Sequence, residues 1–211
     1  MLLRRGAAPT LGGGIVADAR YYHAKRALDV ALAVLLLAAV SPLLAALAAA
    51  VRLTSPGPAL FRQKRMGRHG RPFTMYKLRT MRNGSARRLD LVERGDPRVT
   101  PLGWLLRRTH LDELPQLWNV LVGDMSMVGP RPDEYGIAEH LSRTVPGYSD
   151  CLDMPPGITG LSQLVGRKRV NSLGRGYEVR LHRCYRRRRG LAYDLLLLAV
   201  TVSHVLRGRG V

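Results

Sequence analysis

An apolar block from Val30 to Val51 constrains the fold of this chain more than any other feature. It is apolar except for Ser41, and its roughly 20 residues match the length that a helix needs to cross a bilayer core. Ser41 and Pro42 stand near the middle. Proline removes a backbone hydrogen bond and kinks a helix, while a neighbouring serine can satisfy a carbonyl that is freed. The block therefore predicts either one spanning helix or a helix that breaks and returns.

Basic residues flank both ends of this block. Lys25 and Arg26 precede it, and Arg52 and the basic stretch 62–71 follow it. Lysine and arginine near membrane segments prefer the cytoplasmic side, so both ends favour the same face. A helix that enters, breaks at Ser41-Pro42 and returns satisfies this preference, but the residues alone leave a spanning helix equally open.

The charge of the chain indicates an anionic partner. A net charge of +19 fits nucleic acid, an anionic membrane surface or phosphorylated substrates. The two cysteines, Cys151 and Cys184, have no metal-type spacing and imply no disulfide framework, which favours a reducing, cytoplasmic environment. No His-Glu-x-x-His or Walker A motif occurs in the sequence.

The chemistry is concentrated in residues 107–132. A helix with one buried face is predicted by apolar residues at helical spacing: Leu114, Leu117, Trp118 and Leu121. Asp112 and Glu113 then fall at its start, with Pro115 in the first turn. The helix dipole and Arg107 would favour the ionised form of Asp112, so we expect an anion at neutral pH. A simpler interpretation is an N-cap Asp followed by a first-turn Glu.

A rigid arginine follows this segment in Gly129-Pro130-Arg131-Pro132. Two prolines fix the backbone on either side of Arg131, which lowers the entropy lost when it binds an anion. The planar donors of arginine suit phosphate. The same residues could form a surface turn, but their position soon after two carboxylates suggests phosphoryl chemistry.

These motifs resemble the signature of the bacterial sugar transferases, the monotopic polyprenyl-phosphate phosphoglycosyl transferases. The resemblance extends over about residues 22–208. It rests on short segments that occur in order along the chain: 25–29, 41–42, 61–67, 77–81, 96–100, 111–116, 123–126, 128–132, 156–161 and 166–167.

The resemblance implies a mainly helical α+β fold in three parts. Residues 1–21 would be a flexible leader and 22–53 a re-entrant membrane helix, helix-break-helix, with its break at Ser41-Pro42. Residues 54–211 would form a compact catalytic domain at the membrane interface, on the cytoplasmic face of the inner (plasma) membrane. Within it we expect short strands or amphipathic pieces in 54–82, a turn at 157–160, and amphipathic surface helices that include the C-terminal one.

The implied activity is the transfer of a sugar-1-phosphate from a nucleotide diphosphate sugar to polyprenyl (undecaprenyl) phosphate, which initiates surface glycan or exopolysaccharide synthesis. Asp112 would be the nucleophile of a covalent aspartyl phospho-sugar intermediate. Glu113 would hold Mg²⁺ or accept a proton, and Mg²⁺ would have Asp112 and Glu113 as ligands. Basic motif positions give the expected phosphate contacts: Lys77, Arg79, Arg107, Arg131 and Arg167. Asp194 also matches an acidic position of the family.

Two other interpretations are compatible with the residues. A non-catalytic basic module could bind membranes or nucleic acid, although the chain has no nucleic-acid recognition motif and such binding leaves the apolar block unexplained. A structural scaffold descended from the enzyme is permitted by His182, which stands where the family usually has an aspartate. We therefore expect anionic membrane lipid, and not nucleic acid, as the partner besides the two substrates.

Overall fold

The computed structural model of the chain describes residues 11–85 and 95–207, except for the side chains of residues 11–18, 167, 168 and 206. Eight helices are described: α1 (Leu11–Thr54), α2 (Pro101–Thr109), α3 (Gln116–Val122), α4 (Tyr135–Thr144), α5 (Leu161–Val165), α6 (Arg167–Leu173), α7 (Arg175–Arg188) and α8 (Leu191–Leu206). The four strands are β1 (Leu60–Met66), β2 (Pro72–Leu78), β3 (Ser126–Val128) and β4 (Gly157–Thr159). The fold is mainly helical with a few strands, as predicted.

Helix α1 runs for 44 residues without an interruption at Pro42. The hydroxyl of Ser41 donates a hydrogen bond of 3.1 Å to the carbonyl of Ala38. In a helix this carbonyl would accept from the backbone N–H of residue 42, which proline lacks. The predicted compensation by serine is thereby confirmed. The backbone is helical from Leu11 onward, and residues 1–10 of the predicted leader lie outside the described part.

The apolar stretch of α1 is largely exposed. Only 6% of its most apolar window is buried, and the helix is long and apolar enough to cross a membrane by length and composition. The two ends of this apolar stretch are packed against the rest of the protein, unlike its middle. Arg26 donates to the carbonyls of Val120 and Leu121 near one end, and Val51 is buried near the other. The same globular body thus contacts both ends of the helix.

Two small sheets shape the rest of the chain. Strands β1 and β2 form an antiparallel hairpin whose register pairs Leu60 with Leu78 and Met66 with Pro72, in agreement with the strands expected in 54–82. Strands β3 and β4 are parallel. The turn predicted at 157–160 is therefore mostly strand, because the backbone N–H groups of Ser126 and Gly129 bond to the carbonyls of Pro156 and Thr159.

Helix α3 differs from its prediction on one face. Leu117 and Val120 are buried, and Leu114 and Leu121 pack against the same core, but Trp118 is 53% exposed. The helix begins only at Gln116, after Pro115, and the side chain of Trp118 points away from the core. Trp118 is therefore a surface residue, contrary to the prediction.

The C-terminal helices have unlike surfaces. Helix α7 is amphipathic, with Val179 and Tyr185 buried and its arginines outward. Helix α8 buries Asp194 and Leu197, while its outer face is apolar and exposed at Leu195, Leu196, Val202 and Val205. The helix predicted to be amphipathic at the C-terminus therefore has its acidic residue on the buried side and apolar residues on the exposed side, the reverse of a helix on the surface of a water-soluble protein.

Candidate active site

A sharp reversal of the chain after α2 presents the two neighbouring carboxylates. His110 adopts a left-handed conformation, with φ of 58°, and separates α2 from a single 3-10 turn at Leu111–Glu113. Few residues other than glycine adopt this conformation. The turn directs Asp112 inward, where it is 7% exposed. Asp112 therefore lies ahead of α3, separated from it by Glu113, Leu114 and Pro115, and not in the first turn of a long helix.

Glu113 is held by two cations. Its Oε1 lies 2.6 Å from Lys77 Nζ and 3.3 Å from the Arg131 guanidinium. Burial would raise the pKa of Glu113, but Arg131 and Lys77 outweigh it and hold that pKa below its ordinary value. Glu113 is thus an ionised side chain that fixes two basic residues in place.

Asp112 has a different environment from its neighbour. Burial raises its pKa above the ordinary value, although the charges of Lys77 and Arg107 oppose this. Within the described residues, no ion pair is made with the Asp112 carboxylate. The predicted effect of the helix dipole was wrong in direction, since α3 starts four residues later and loss of solvent dominates. Among the side chains that the structure describes, Asp112 is thus a buried carboxylate that no basic group pairs with.

Three of the predicted phosphate-binding residues converge on these carboxylates. Lys77 is the penultimate residue of strand β2, and this strand is tied to α3 by the buried amide of Asn119. The Tyr76 N–H donates to Asn119 Oδ1 at 3.1 Å, and Asn119 Nδ2 donates to the Thr74 carbonyl at 2.7 Å. Arg107 donates from Nε to the hydroxyl of Thr80 at 2.8 Å. Asn119 and Thr80 are positioning residues that sequence reasoning did not select, although Thr80 lies within a motif quoted for the family.

Arg131 is oriented by a close crossing of backbones. Gly129 N–H donates to the Thr159 carbonyl, and Gly157 N–H donates to the Pro130 carbonyl, each at 2.8 Å. A Cβ at Gly129 would collide with the carbonyl oxygen of Pro155, so only glycine fits there. The predicted rigid Pro-Arg-Pro segment is accordingly anchored at its start, and Arg131 reaches Glu113.

Two other predicted residues are placed differently. Arg79 is buried and donates to the carbonyls of Ser55, Pro56 and Val51, so it closes the end of α1 and does not meet the carboxylates. Those orphan carbonyls at the helix end explain why a cation is favoured there. Arg167 opens α6, but its side chain lies outside the described part. Ser41 and Pro42 lie in the exposed middle of α1.

A second buried cluster surrounds Asp194 on α8. Lys25 Nζ lies 2.8 Å from its Oδ2, to which the Tyr21 hydroxyl also donates at 3.0 Å. The Tyr185 hydroxyl donates to Oδ1 at 2.7 Å. Asp194, whose role the sequence left open, therefore attaches α8 to the beginning of α1.

The carboxylate pair suits a metal that is shared with substrate. No group of three or more His, Cys, Asp or Glu side chains placed for a metal occurs in the described residues. Mg²⁺ is commonly held by one or two carboxylates together with substrate phosphates and water. The oxygens of Asp112 and Glu113 fit that mode of binding.

Comparison with known sequences gives a consistent family. The pattern of bacterial sugar transferases matches residues 20–208. A UDP-glucose:undecaprenyl-phosphate glucose-1-phosphate transferase of Caulobacter vibrioides is 50% identical over 143 residues, which are 67% of this chain and 54% of that protein. A UDP-N-acetylgalactosamine-undecaprenyl-phosphate N-acetylgalactosaminephosphotransferase of Aeromonas hydrophila is 34% identical over 199 residues, 94% of this chain and 47% of that protein.

A shorter relative is also similar along most of its length. An uncharacterized sugar transferase of Bacillus subtilis, EpsL, is 37% identical over 187 residues, 89% of each chain. The present chain spans about half the length of the Caulobacter and Aeromonas proteins. The match over residues 20–208 nevertheless includes the hairpin, the carboxylate turn, the Arg131 segment and all of α8. The chain belongs to the bacterial sugar transferase family.

Proposed function

We propose that this chain transfers a sugar-1-phosphate from a UDP-sugar to undecaprenyl phosphate and so initiates the synthesis of a surface glycan or exopolysaccharide. The observation that carries the proposal is the contrast between the two carboxylates: Glu113 is bound by Lys77 and Arg131, and buried Asp112 is bound by neither. The substrate class is that of the Caulobacter and Aeromonas relatives, which use UDP-sugars and undecaprenyl phosphate. A non-catalytic binding module gives no reason for this arrangement.

The reaction follows as two displacements at one phosphorus. A carboxylate oxygen of Asp112 attacks the phosphorus that carries the sugar, the bond to the bridging oxygen breaks, and UMP leaves with that oxygen. An acyl phosphate to the sugar-1-phosphate remains on Asp112. An oxygen of undecaprenyl phosphate then attacks the same phosphorus, the bond to Asp112 breaks, and the carboxylate is regenerated.

The basic residues neutralise charge on the transferred group. Lys77 and Arg131 are held close to Asp112 through Glu113, and Arg107 is oriented by Thr80. Fixed cations that face a transferring phosphoryl group stabilise the charge that develops on it. Mg²⁺, held by Asp112 and Glu113, would add further neutralisation of the diphosphate when bound. Arg167 remains a predicted phosphate contact.

Intact-protein mass spectrometry tests the covalent step. Purified protein incubated with UDP-sugar alone should gain the mass of a phospho-sugar, and peptide mapping should locate it on Asp112. Asp112→Asn should show no adduct, and chelation of divalent cations by EDTA should prevent the adduct on the wild type. An adduct on another residue, or one that persists in the Asn variant, would contradict the assignment.

We also propose that α1 is re-entrant in the inner membrane, so that both of its ends and the catalytic domain lie on the cytoplasmic face. Support comes from the packing of the two ends. The Arg68 guanidinium lies 4.5 Å from the centre of the Tyr22 ring, and Arg79 bonds the end of α1. A domain on one side of a bilayer could not contact both ends of a fully spanning helix. The exposed apolar face of α8 would lie on the same membrane surface.

Cysteine labelling in sealed, oriented vesicles tests this topology. His23→Cys and Arg71→Cys, each at an exposed position in a background with Cys151 and Cys184 replaced by alanine, should react with an impermeant reagent from the same face. Pro42→Leu should shift α1 toward a spanning form, because leucine supplies the backbone N–H that proline lacks and removes the kink that proline favours in a helix of this length. If the two sites were labelled from opposite faces in protein that keeps the native Pro42, the re-entrant arrangement would be rejected.

A further inference from the structure

One turn of the membrane helix α1 holds both α3 and β3. Arg26 and Asp29 are three positions apart, so their side chains lie on the same face of the helix. Arg26 donates to the carbonyls of Val120 and Leu121 in the last turn of α3. An oxygen of the Asp29 carboxylate accepts the backbone N–H of Met127, in β3, at 3.0 Å. These bonds attach two elements of the catalytic domain to neighbouring points of α1.

The bond from Asp29 satisfies the open edge of β3. Ser126 N–H donates to the Pro156 carbonyl on the side of β4 at 2.8 Å, and successive residues of a strand present their N–H groups to opposite edges. Met127 N–H therefore faces away from β4, and among the described strands none pairs with that edge. Asp29 is 4% exposed, so its oxygen supplies a buried acceptor where a third strand would otherwise supply one.

Strand β3 leads by a rigid connection to Arg131. Gly129 follows the strand, and its N–H is bonded to the Thr159 carbonyl of β4 at 2.8 Å. Pro130 comes next, and its ring fixes φ of the backbone. Strands β3 and β4 and the Pro-Arg-Pro segment are thus one unit, in which a displacement of β3 is passed on to Arg131.

The contact at the far end of this unit tolerates little displacement. The Arg131 guanidinium lies 3.3 Å from Glu113 Oε1. An ion pair is lost beyond about 4 Å, so a shift of roughly 1 Å would separate the two groups. A misplacement of that size at a reacting centre can lower the rate about 10²-fold. Because Arg26 holds α3, which follows Glu113 closely in the chain, one turn of α1 governs the position of both partners.

We propose that Asp29 is a positioning residue for phosphoryl transfer: through the Met127 N–H it holds β3 on α1 and so keeps Arg131 opposite the carboxylates. This inference rests on the proposed function. Asp29 acts through the backbone of β3 and does not touch the substrate. Helix α1 is then a frame for the active site as well as the part of the protein that enters the membrane.

The test compares Asp29→Ala and Asp29→Asn with the wild type. Alanine removes the acceptor, whereas asparagine keeps a carbonyl oxygen that can accept the Met127 N–H. Tyr21→Phe is the matched control, because it removes a different hydrogen bond of α1, the one to Asp194 on α8 at 3.0 Å. Initial rates of UMP release would be measured in the presence of undecaprenyl phosphate, with whichever of UDP-glucose and UDP-N-acetylgalactosamine the wild type uses. Thermal unfolding would be recorded for every variant.

We expect Asp29→Ala to lower kcat about ten-fold or more, because Arg131 no longer faces the charge that develops on the transferred group. KM for the UDP-sugar should change much less than kcat, since this interaction is strongest in the transition state. Asp29→Asn should restore most of the rate. Tyr21→Phe should keep the wild-type kcat even if its thermal unfolding temperature falls as far as that of Asp29→Ala.

A double-mutant cycle with Arg131→Ala separates positioning from general destabilisation. The readout is the rate at which the phospho-sugar adduct forms, followed by mass spectrometry over hours so that slow variants are still measured. If Asp29 acts through Arg131, Asp29→Ala should cause almost no further loss when Arg131 is already alanine. Independent effects would instead multiply.

Two results would overturn the inference: a wild-type kcat in folded Asp29→Ala, or the same fold-loss from Asp29→Ala with and without Arg131. If Asp29→Ala does not fold, Asp29→Glu takes its place, because its extra methylene displaces Met127 while the acceptor is kept. A wild-type kcat in that protein, or a loss that persists in the Arg131→Ala background, overturns the inference as well. Failure of the proposed function differs from all of these, since the wild type itself would then form no adduct and release no UMP.

Discussion

The buried carboxylates around Asp194 and those of Asp112 and Glu113 differ in how completely they are paired. Asp194 is 1% exposed and receives Lys25, Tyr21 and Tyr185 on its two oxygens. In the other cluster, Glu113 takes both Lys77 and Arg131 on one oxygen, and Asp112 forms no ion pair with any described residue. Complete pairing suits a group that joins α8 to α1. Incomplete pairing suits a nucleophile, because its oxygens must stay open to the substrate and to any metal that the substrate brings with it.

The first way to sharpen this comparison is Asp112→Asn. We expect turnover to fall about 10³-fold or more, as for the loss of other catalytic nucleophiles. The free energy of unfolding at neutral pH should stay equal or rise, because the neutral amide removes the cost of burying a charge. Steady-state assays and chemical unfolding in the same detergent measure the two quantities. A variant that is both active and destabilised would reverse the roles assigned to the two clusters.

Asp194→Ala should have the opposite profile. Removing the acid leaves Lys25 buried without its partner, so the free energy of unfolding should fall by about 3–5 kcal/mol. Activity per folded molecule should be retained in membranes at low temperature. The double variant Lys25→Met, Asp194→Leu is the matched control and should recover much of the stability, because no charge is left buried. A loss of turnover without a loss of stability would place Asp194 in the chemistry instead.

Arg131→Lys should lower turnover about 10- to 100-fold, less than the deletion of a transition-state donor does. The charge is kept, but an ammonium cannot contact Glu113 and a phosphate together as a planar fork can. Arg143→Lys, in the exposed pair with Glu139, is the control and should have no effect on turnover. Equal kinetics of the Arg131 variant and the wild type would reduce the Pro-Arg-Pro segment to a structural turn.

The sequence predicted features set by local chemistry and missed those set by distant contacts. The carboxylate pair, the rigid Arg131 segment and the serine that compensates Pro42 all follow from neighbouring residues, and the structure contains each arrangement. The strand at 157–159 could not be predicted, because it exists only by pairing with β3, about thirty residues away along the chain. Its Gly and Pro content reads locally as a turn.

Charged residues were the least predictable part of the site. Nothing local distinguishes Lys77 from Arg79: both lie in one basic motif, yet Lys77 reaches Glu113 while Arg79 binds the carbonyls at the end of α1. The destination of each side chain depends on what packs against β2. The pKa direction of Asp112 failed for the same reason, since burial is a property of the tertiary structure.

The smallest expected effect is on the pH dependence of stability, and it isolates Asp112 from Glu113. The pKa of Asp112 is raised in the folded protein, so its ionisation lowers stability as the pH rises through that pKa and has no effect below the unfolded value. Glu113, whose pKa is lowered, acts in the opposite sense: its contribution is present above the unfolded value and is lost as the pH falls. Wild type and Asp112→Asn share Glu113, so its contribution largely cancels in their difference.

Urea unfolding of both proteins across the acid range measures that difference. The two free energies should converge at low pH, where Asp112 is protonated in both the folded and unfolded states, and separate in favour of the Asn variant as the pH rises. Wild-type turnover should increase over the same interval, because the attacking carboxylate must be ionised. If the wild type instead became the more stable protein as the pH rose, Asp112 would be stabilised by a partner. It would then resemble Asp194, and the contrast between the two clusters would be lost.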